Sequence, residues 1–447
     1  MTVTTTLDLP GDVLRPGDTG YDTARAVFNA MIDRRPLAIV RCRTPEDVAR
    51  GIRYARDRDL VLSVRGGGHN VAGSAVCDGG IMLDLSPMKA LRVDPERRLA
   101  HAGAGLLLGE LDRGTQRHGL ATPLGVMSGT GIAGLTLGGG LGWLAGRYGL
   151  ACDNLEAAEV VTAAGDVLRV APDTHPDLLW GLRGGGGNLA VVTSFTYRLH
   201  PVGPVLAGGL RYRWESAGEV LRVHDELMAT APDELTAAVS LALDPAGRPS
   251  LSIGVCWCGA AEAGQAALRP LRSAVRPRED TVGVMPYATL QSAPDPGFPP
   301  GMRHYWKSGY LRHLGDAAVT TLLGLPSGMP SGASGIGLQA LRGAASRVAV
   351  DATAFPHRAR QHDFLILSQW ADPRESARNV AWTRDAFEAV RPHLEDAVYV
   401  NNLGVEGPER VRAAYGPNHR RLAELKRVFD PDNVFRLNQN VSPAPAP

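Results

Sequence analysis

Alternating apolar and polar stretches predict a strand-helix-strand unit near the start of the chain. Leu37–Cys42 and Leu60–Arg65 are apolar runs bounded by polar residues, a pattern typical of buried strands. Between them, the Thr-Pro-Glu-Asp sequence at 44–47 predicts an N-cap and the first turn of a helix that extends to about Asp59. The second strand leads directly into three glycines and His69, which predicts a loop where α/β units bind ligands.

The rest of the first two hundred residues mixes strands and helices without strict alternation. The predicted elements are strands at 81–85, 91–93 and 99–104, a helix at 106–118 and a hairpin across 160–170. Strict alternation of strand and helix would indicate a parallel sheet, so this mixture predicts an α+β domain over residues 1–203.

The pattern of the sequence changes near Pro204, where glycine-rich loops are followed by longer segments with a periodic arrangement of apolar residues. The predicted elements are strands at 235–243, 250–257, 305–311 and 364–370 and helices at 217–230 and 260–274, with irregular chain at 276–301. We predict a second domain, residues 204–396, with helices on one face of an antiparallel sheet and the other face free to form a wall over a ligand. A last helix is predicted at about His419–Phe429, where Asp430-Pro431 stops it.

Composition and charge exclude several classes of protein. The 447 residues are 44% hydrophobic and carry a formal net charge of +1, which favours a globular enzyme with a small apolar partner over a nucleic-acid-binding protein. Since no run of about 18 apolar residues and no secretory signal is found, we expect a cytoplasmic protein without a membrane segment. The five cysteines are sparse, and Cys256 and Cys258 are too close for a zinc knuckle, so neither a disulfide framework nor a metal site is predicted.

Three glycine clusters are the strongest chemical signal in the sequence. They lie at 65–69, 125–142 and 183–188, and the chain contains 53 glycines. Glycine lets the backbone approach a bulky anionic cofactor, so three such loops predict an extended ligand; ordinary turns are the alternative. The middle cluster fits the dinucleotide pattern G-x-G-x-x-G at 129–134, but no apolar strand precedes it and glycines follow where a helix should begin, so we do not interpret it as a Rossmann motif.

The order of these motifs resembles one family, the berberine-bridge-enzyme-like FAD-linked oxidases of the vanillyl-alcohol oxidase / p-cresol methylhydroxylase superfamily. The matching segments are 65–70, 134–143, 148–150, 153–154 and 177–180, and then 399–401, 415–418, 430–433 and 438–440 near the other end of the chain. This resemblance implies a two-domain FAD-binding fold of the PCMH type. Residues 1–203 and 397–447 would form the flavin domain, and residues 204–396 would cover the isoalloxazine ring.

The resemblance also implies a set of cofactor-binding residues. They are His69, Arg65, Gly66, Gly67, Gly68, Asn70, Gly73, Ser74, Ser128, Gly129, Thr130, Gly134, Gly138, Gly142, Val192, Tyr399, Asn401 and Asn440. His69 matches the histidine that bonds to the flavin's 8-methyl carbon; a loop histidine that is only hydrogen-bonded near the pyrophosphate is the alternative. Many relatives add a cysteine link at the position of Met127, so we predict a single covalent bond, and we interpret Cys152 as a small buried residue.

The resemblance weakens at the catalytic base. Many relatives have Tyr-x-Asn-Tyr, with the second tyrosine as base, whereas residues 399–402 here are Tyr-Val-Asn-Asn, and the amide of Asn402 cannot accept a proton. Alternation places Tyr305 and Lys307 on one face of their strand, and a tyrosine with a pKa lowered by lysine is a candidate base; a structural strand is the alternative. Further pocket candidates are Gln369, Trp370 and His357.

The function implied is hydride transfer from a small organic substrate, such as a natural-product alcohol, to covalently bound FAD. Thr130 stands where relatives use a side chain to admit or exclude oxygen, and its size is similar to that of valine, so we expect an oxidase that releases H2O2. The alternatives are a flavoenzyme of the same fold that catalyses desaturation, oxygenation or oxidative cyclisation, and a non-catalytic flavin-binding protein. The sequence leaves the substrate and the oligomeric state open.

Overall fold

The computed structural model describes residues 12–445, which form nineteen strands and fifteen α-helices. The strands are β1 (Asp12–Leu14), β2 (Ala38–Arg41), β3 (Leu62–Arg65), β4 (Ile81–Asp84), β5 (Leu91–Asp94), β6 (Leu99–Gly103), β7 (Leu120–Ala121), β8 (Leu155–Val161), β9 (Val167–Val170), β10 (Val191–Arg198), β11 (His200–Pro201), β12 (Val205–Tyr212), β13 (Leu235–Leu243), β14 (Pro249–Trp257), β15 (Glu279–Asp280), β16 (Gly283–Met285), β17 (Arg303–Leu311), β18 (Gly335–Leu341) and β19 (Gln361–Trp370). The helices are α1 (Tyr21–Arg25), α2 (Pro45–Arg56), α3 (Leu108–Gln116), α4 (Ile132–Leu137), α5 (Ala145–Tyr148), α6 (Pro176–Leu182), α7 (Ala217–Thr230), α8 (Ala261–Ala267), α9 (Arg269–Ser273), α10 (Tyr287–Ser292), α11 (Asp316–Gly324), α12 (Ala344–Arg347), α13 (Ser376–Val390), α14 (Pro408–Tyr415) and α15 (His419–Phe429).

The first hydrophobic core is built from two small sheets. In the four-stranded sheet, ordered β1-β2-β4-β3, strand β4 is parallel to both neighbours and β1 is antiparallel to β2. The five-stranded sheet, ordered β5-β6-β10-β8-β9, is antiparallel throughout. Apolar side chains of both sheets, α2 and α3 pack into one cluster that Val434 and Phe435 join from the far end of the chain. The predicted α+β mixture is confirmed.

The second core belongs to a large antiparallel sheet, ordered β15-β12-β14-β13-β18-β19-β17, with β16 also paired to β12. One face of this sheet packs against α7, α11 and α13 in a cluster confined to residues 206–394. The opposite face carries Trp306, Leu365 and Leu367, which border a cavity. The prediction of an antiparallel sheet with helices is confirmed, whereas the domain boundaries at 203/204 and 396/397 stay a prediction.

Several elements differ from the sequence prediction for local physical reasons. Strands β12 and β18 were not predicted because two glycines in each strand interrupt the apolar pattern, and glycine has low strand propensity. The helix predicted at 260–274 is divided into α8 and α9 beside Pro270, which has no backbone N–H to donate. A helix, α4, does begin directly after Gly131, so the expectation of none there is wrong; it ends after six residues at Gly138.

The predicted start of α2 agrees in detail. The side chain of Thr44 accepts a hydrogen bond from the backbone N–H of Asp47, and the Asp47 carboxylate accepts one from the Thr44 N–H. This reciprocal pair is a capping box, which stabilises the helix end. Within residues 12–445, none of the helices is both long and apolar enough to cross a membrane.

Candidate active site

A cavity of about 450 Å³ lies between the glycine loops and the free face of the large sheet. Twelve of the predicted cofactor residues line it: Gly66, Gly67, Gly68, His69, Asn70, Ser74, Thr130, Gly134, Gly138, Val192, Tyr399 and Asn401. Asn402 also lines it, as do residues of the third glycine cluster and of the segment Leu437–Gln439. The structure therefore brings segments from both ends of the chain to one cavity.

The first and middle glycine clusters pack backbone against backbone. A Cβ atom added to Gly67 would lie 2.4 Å from the Gly131 nitrogen, and one added to Gly131 would lie 2.4 Å from the Gly67 nitrogen. Real Cβ contacts are never so short, so both positions require glycine for the two loops to meet. These two glycines thus shape the cavity through their contact with each other.

Other glycines leave space that no protein atom fills. A Cβ at Gly134 or Gly187 would have no protein atom within 4 Å beyond its own local backbone, and both residues line the cavity. Among the described residues that line the cavity, none is a lysine or arginine. An anionic cofactor here would be held by backbone N–H groups, as glycine-rich phosphate-binding loops do. The open space beside these glycines and the glycine-rich walls therefore fit a cofactor such as FAD.

The imidazole of His69 is held in an aromatic stack. Its ring lies 3.9 Å from the Phe28 ring at an interplanar angle of 16°, and Phe28 stacks in turn on His304 at 4.1 Å and 17°. The backbone N–H of Phe28 donates to the Gly68 carbonyl at 3.0 Å, which fixes the stack to the loop. Burial lowers the pKa of His69 to about 4, so its imidazole is neutral at neutral pH.

Asn29, next to Phe28, connects the loop after His69 with strand β17. Its Nδ2 donates to the Val71 carbonyl at 2.8 Å and to the His304 carbonyl at 3.0 Å, and its Oδ1 accepts from the His304 N–H at 2.9 Å. Asn29 is 3% exposed, so these bonds are shielded from water. Sequence reasoning missed Phe28 and Asn29, which lie in a polar leader without a motif.

Asp363 is a buried acidic residue of the cavity lining that the sequence did not single out. It lies on β19, lines the cavity, and is 8% exposed. Its Oδ2 accepts a hydrogen bond from Asn402 Nδ2 at 2.9 Å, and its Oδ1 has no hydrogen-bond partner within residues 12–445. Burial raises the pKa of Asp363 to about 8. The only sequence signal was a carboxylate at the start of an apolar strand, next to residues 364–370.

Asn402, at the place of the usual base, is a hydrogen-bond donor to Asp363. Its Nδ2 also lies 3.4 Å from the Ser308 hydroxyl, and the residue is 8% exposed. An amide in this position orients the carboxyl group without exchanging a proton itself. The structure therefore places an amide group, which cannot accept a proton, beside the buried carboxyl group of Asp363.

Tyr305 and Lys307 share one face of β17, as alternation predicted, but that face is turned away from the cavity. Tyr305 Oη accepts from the Arg384 guanidinium at 3.2 Å, and Lys307 Nζ lies 3.2 Å from the Glu406 carboxylate. The cavity lining includes Trp306 of the same strand instead. The expectation that Tyr305 and Lys307 face the substrate is therefore wrong, because they lie on the opposite face of the strand.

The further pocket candidates also lie outside the cavity lining. Gln369 Nε2 donates to the Gly297 carbonyl at 2.9 Å, and Trp370 Nε1 donates to the Ser376 hydroxyl at 3.1 Å. The His357 ring nitrogen lies 3.0 Å from the Ala414 carbonyl. All three side chains make structural contacts.

Six predicted cofactor residues do not line the cavity: Arg65, Gly73, Ser128, Gly129, Gly142 and Asn440. The Gly142 prediction is corrected by its packing, because a Cβ there would lie 2.2 Å from the Leu124 carbonyl oxygen. Arg65 donates to the Ala24 carbonyl, and the backbone N–H of Ser128 donates to Asp295 at 3.1 Å. These side chains brace the loops that form the cavity.

Tyr399 fastens the C-terminal segment to the middle glycine cluster. Its hydroxyl oxygen accepts from the Gly140 N–H at 2.8 Å and from Asn401 Nδ2 at 2.8 Å. Asn401 Nδ2 also donates to the Leu135 carbonyl at 3.0 Å. Both residues therefore hold the cavity wall in place, and Tyr399, with its pKa raised by burial, is a neutral hydroxyl group.

Two sulfur-containing residues bear on the number of covalent links. Met127 lines the cavity where a second link would form, and a thioether sulfur has no proton to lose. Cys152 is fully buried in an apolar cluster with Leu150, Tyr310 and Phe355. Burial raises the pKa of the Cys152 thiol well above its usual value, so it stays protonated. In residues 12–445 we find no cluster of three acidic, histidine or cysteine side chains that could hold a metal.

Comparison with known proteins agrees with the class that this site defines, a two-domain flavin-dependent oxidoreductase. Residues 36–171 match the model of an FAD binding domain, and residues 398–442 match the model described as berberine and berberine like. The FAD-linked oxidoreductase YgaK of Bacillus subtilis is 32% identical over 97% of both chains. The (R)-6-hydroxynicotine oxidase of Paenarthrobacter nicotinovorans is 31% identical over 98% of both chains.

Solved structures give the same result. The crystal structure of 6-hydroxy-D-nicotine oxidase from Arthrobacter nicotinovorans matches with a TM-score of 0.91 and 29% identity, over 99% of this chain and 100% of that one. Berberine bridge enzyme shares the fold at a TM-score of 0.89 and 21% identity, over 99% and 98% of the two chains. The chain belongs to the berberine-bridge-enzyme-like family of FAD-linked oxidoreductases.

Proposed function

We propose that this chain holds FAD through one covalent bond from His69 and oxidises a small organic substrate, with molecular oxygen as the final electron acceptor. The observation that carries the proposal is the neutral, stacked imidazole of His69 at the edge of a cavity bordered by three glycine clusters. A neutral imidazole nitrogen has the lone pair that a nucleophile needs. When bound, FAD supplies the acceptor for the substrate's hydride and passes the electrons to oxygen as H2O2.

A single covalent bond is supported by the residues around the cavity. Met127 replaces the cysteine that would form a second link, and Cys152 is buried away in an apolar cluster. The residues of the middle cluster that line the cavity, Thr130 among them, would border the bound flavin. Since Thr130 has a short side chain, we expect oxygen to reach the reactive face.

We assign to Asp363 the removal of a proton from the substrate. Asp363 lines the cavity, and Asn402 holds its Oδ2 in a fixed orientation. A positioned carboxylate that accepts a proton as hydride leaves the neighbouring carbon acts as a general base. One similar protein is named an oxidase of 6-hydroxynicotine, a compact organic molecule, which favours an oxidase outcome over a non-catalytic role.

Anaerobic reduction of the bound flavin tests this function. The purified protein is mixed without oxygen with a panel of small alcohols and amines, and loss of the oxidised-flavin absorbance is followed. We expect at least one compound to bleach the flavin, and admission of air to restore the colour with one H2O2 released per product. Bleaching that only an artificial acceptor reverses would identify a dehydrogenase, and failure of every compound to bleach the flavin would contradict catalysis of this class.

A further inference from the structure

A short segment ahead of the first glycine cluster, residues 28–30, lies between that cluster and strand β17. The backbone N–H of Phe28 donates to the Gly68 carbonyl at 3.0 Å, and the N–H of Ala30 donates to the carbonyl of Met302, the residue before β17, at 2.9 Å. We call residues 28–30 the linking segment. It joins the loop that carries His69 to the edge of the large sheet.

Asn29, in the middle of the linking segment, uses both kinds of hydrogen-bonding group on its side chain. The two hydrogens of Nδ2 bond to the carbonyls of Val71 and His304, and Oδ1 accepts from the N–H groups of His304 and Met31 at 2.9 and 3.1 Å. Strand β17 is the last strand of its sheet, so the amide bonds the backbone of an edge strand much as a neighbouring strand does. Asn29 therefore fixes the distance between the His69 loop and β17.

The rings of His69, Phe28 and His304 form one stack across this link. The two centroid distances are 3.9 and 4.1 Å, and the interplanar angles are 16° and 17°. His304 is 1% exposed, and within residues 12–445 neither of its ring nitrogens has a hydrogen-bond partner. Its contact with the stack is therefore made by the flat face of the ring, which holds Phe28 against His69.

We propose that His304 and Asn29 are positioning residues for the covalent bond between His69 and FAD, an inference that rests on the proposed function. Phe28 covers one face of the His69 imidazole, so the stack fixes the plane in which the ring nitrogen can approach a reacting carbon. His304 belongs to β17, and Asn29 holds β17 against the loop. The bond therefore forms only after β17 has docked on the linking segment.

The attachment step itself uses no proton from either positioning residue. A C–H bond of the flavin's 8-methyl group breaks, and a bond forms between that carbon and a ring nitrogen of His69. The electron pair of the C–H bond, the methyl proton and the imidazole N–H proton pass to the isoalloxazine ring, which is thereby reduced. Molecular oxygen then takes two electrons and two protons and becomes H2O2.

Three variants test the proposal, with a fourth as control. His304→Phe keeps a flat ring and removes both nitrogens, whereas His304→Leu removes the flat ring. Asn29→Asp keeps the acceptor and removes both donors. Val239→Ala, in the second core, lowers stability without changing the stack and is the matched control.

Each protein is produced under riboflavin limitation, so that part of the chain lacks flavin, and is then incubated with excess FAD in air. Intact mass against time gives the rate of covalent attachment, and absorbance after gel filtration gives the total bound flavin. The melting temperature of each variant is measured before FAD is added. A merely structural role would lower the melting temperature and total flavin without a specific loss of the covalent fraction.

We expect wild type and His304→Phe to acquire the bond at equal rates, and His304→Leu and Asn29→Asp to acquire it about three- to tenfold more slowly, the factor that one stacking contact or hydrogen bond supplies. Val239→Ala should melt at a lower temperature and attach FAD at the wild-type rate. A wild-type rate in His304→Leu or Asn29→Asp would overturn the assignment of that residue, and slow attachment in His304→Phe or Val239→Ala would overturn positioning by the stack. Wild-type protein that binds FAD without any gain in mass would instead overturn the proposed covalent bond.

Discussion

The proposed role of Asp363 as general base makes the reaction rate depend on the protonation state of its carboxyl group. Burial raises the pKa of Asp363 to about 8, so the carboxylate that can accept a proton becomes the major form only above that pH. Flavin reduction by substrate should therefore accelerate as the pH rises towards about 8 and then level off. Asp363→Asn keeps the contact with Asn402 and should slow reduction by roughly 10²- to 10⁴-fold, the usual contribution of a general base.

The measurement is the anaerobic reduction rate across pH for wild type and Asp363→Asn, with the flavin content of each determined first. The variant should show no rise between about pH 6 and pH 9, because an amide does not titrate. A rise that persists in Asp363→Asn would assign the titration to another group.

Phe28 sets the orientation of the His69 imidazole. Replacing the ring with leucine removes the 3.9 Å stacking contact, and we expect Phe28→Leu to bind FAD with a smaller covalently attached fraction. The fraction is measured as flavin retained after acid precipitation divided by total flavin. Phe298→Leu is the matched control, because its ring lines the cavity but lies 6.4 Å from Phe28 and is tilted. Equal covalent fractions in the two variants would show that the stack does not position His69.

At the residue scale, a residue that belongs to a motif can be identified from the sequence, whereas a residue defined by its tertiary contacts cannot. His69 stands in a glycine run that has few structural explanations, so it was found from the sequence. Phe28 and Asp363 acquire their roles from contacts with residues 41 and 39 positions away, His69 and Asn402. Tyr305 was misjudged because alternation defines which residues share a face and leaves open which face meets the ligand.

At the scale of loops and helices, glycines of two kinds form the cradle. Gly67→Val would push a side chain into the Gly131 backbone, whereas Gly134→Val would project one into open cavity. We expect Gly67→Val to lower the melting temperature even without cofactor, and Gly134→Val to preserve it but reduce FAD content. Both are measured in a His69→Ala background from which FAD has been removed, and then again after FAD is added. Equal melting temperatures would contradict the distinction.

Helices and strands were predictable where no glycine interrupted the periodic pattern of apolar residues. Helix α7 at 217–230, strand β13 at 235–243 and helix α15 at 419–429 have the bounds that the sequence predicted. Strands β12 and β18 contain glycines at positions where β-branched residues are usual, and sheet pairing supplies the stability that their own propensity lacks.

At the scale of the whole molecule, a buried acid lies in the contact between α3 and α10. Gln291 Nε2 donates to Asp112 Oδ2 at 3.0 Å, and in the described part of the chain Asp112 Oδ1 and the Tyr287 hydroxyl have no hydrogen-bond partner. Burial raises the pKa of Asp112 to about 7, whereas an aspartate in an unfolded chain titrates near 4. Between about pH 4 and pH 7 the folded protein holds a proton that the unfolded chain has lost, so this group reduces stability progressively as the pH rises.

Asp112→Asn cannot ionise and should escape this loss. The melting temperature of the variant relative to wild type should therefore increase by at least about 2 °C between pH 5 and pH 8. Asp173→Asn, at an exposed position, is the control and should show no such increase. A constant difference between Asp112→Asn and wild type across this range would contradict a raised pKa at this contact.

The arrangement of the whole molecule could be predicted only through the resemblance. Periodicity gave the elements, whereas the packing of Val434 and Phe435 into the first core and the contact of Asp112 with Gln291 depend on residues that are distant in sequence. Such contacts follow from the three-dimensional arrangement of the sheets, which no local pattern specifies.

The measurement that tests the central claim most directly is the intact mass and colour of the acid-precipitated protein, beside a His69→Ala variant. We predict a yellow precipitate whose mass exceeds the chain by one FAD, and a colourless variant with the mass of the bare chain. A colourless wild-type precipitate at the bare chain mass, or a His69→Ala variant that retains the added mass, would contradict covalent attachment of FAD through His69.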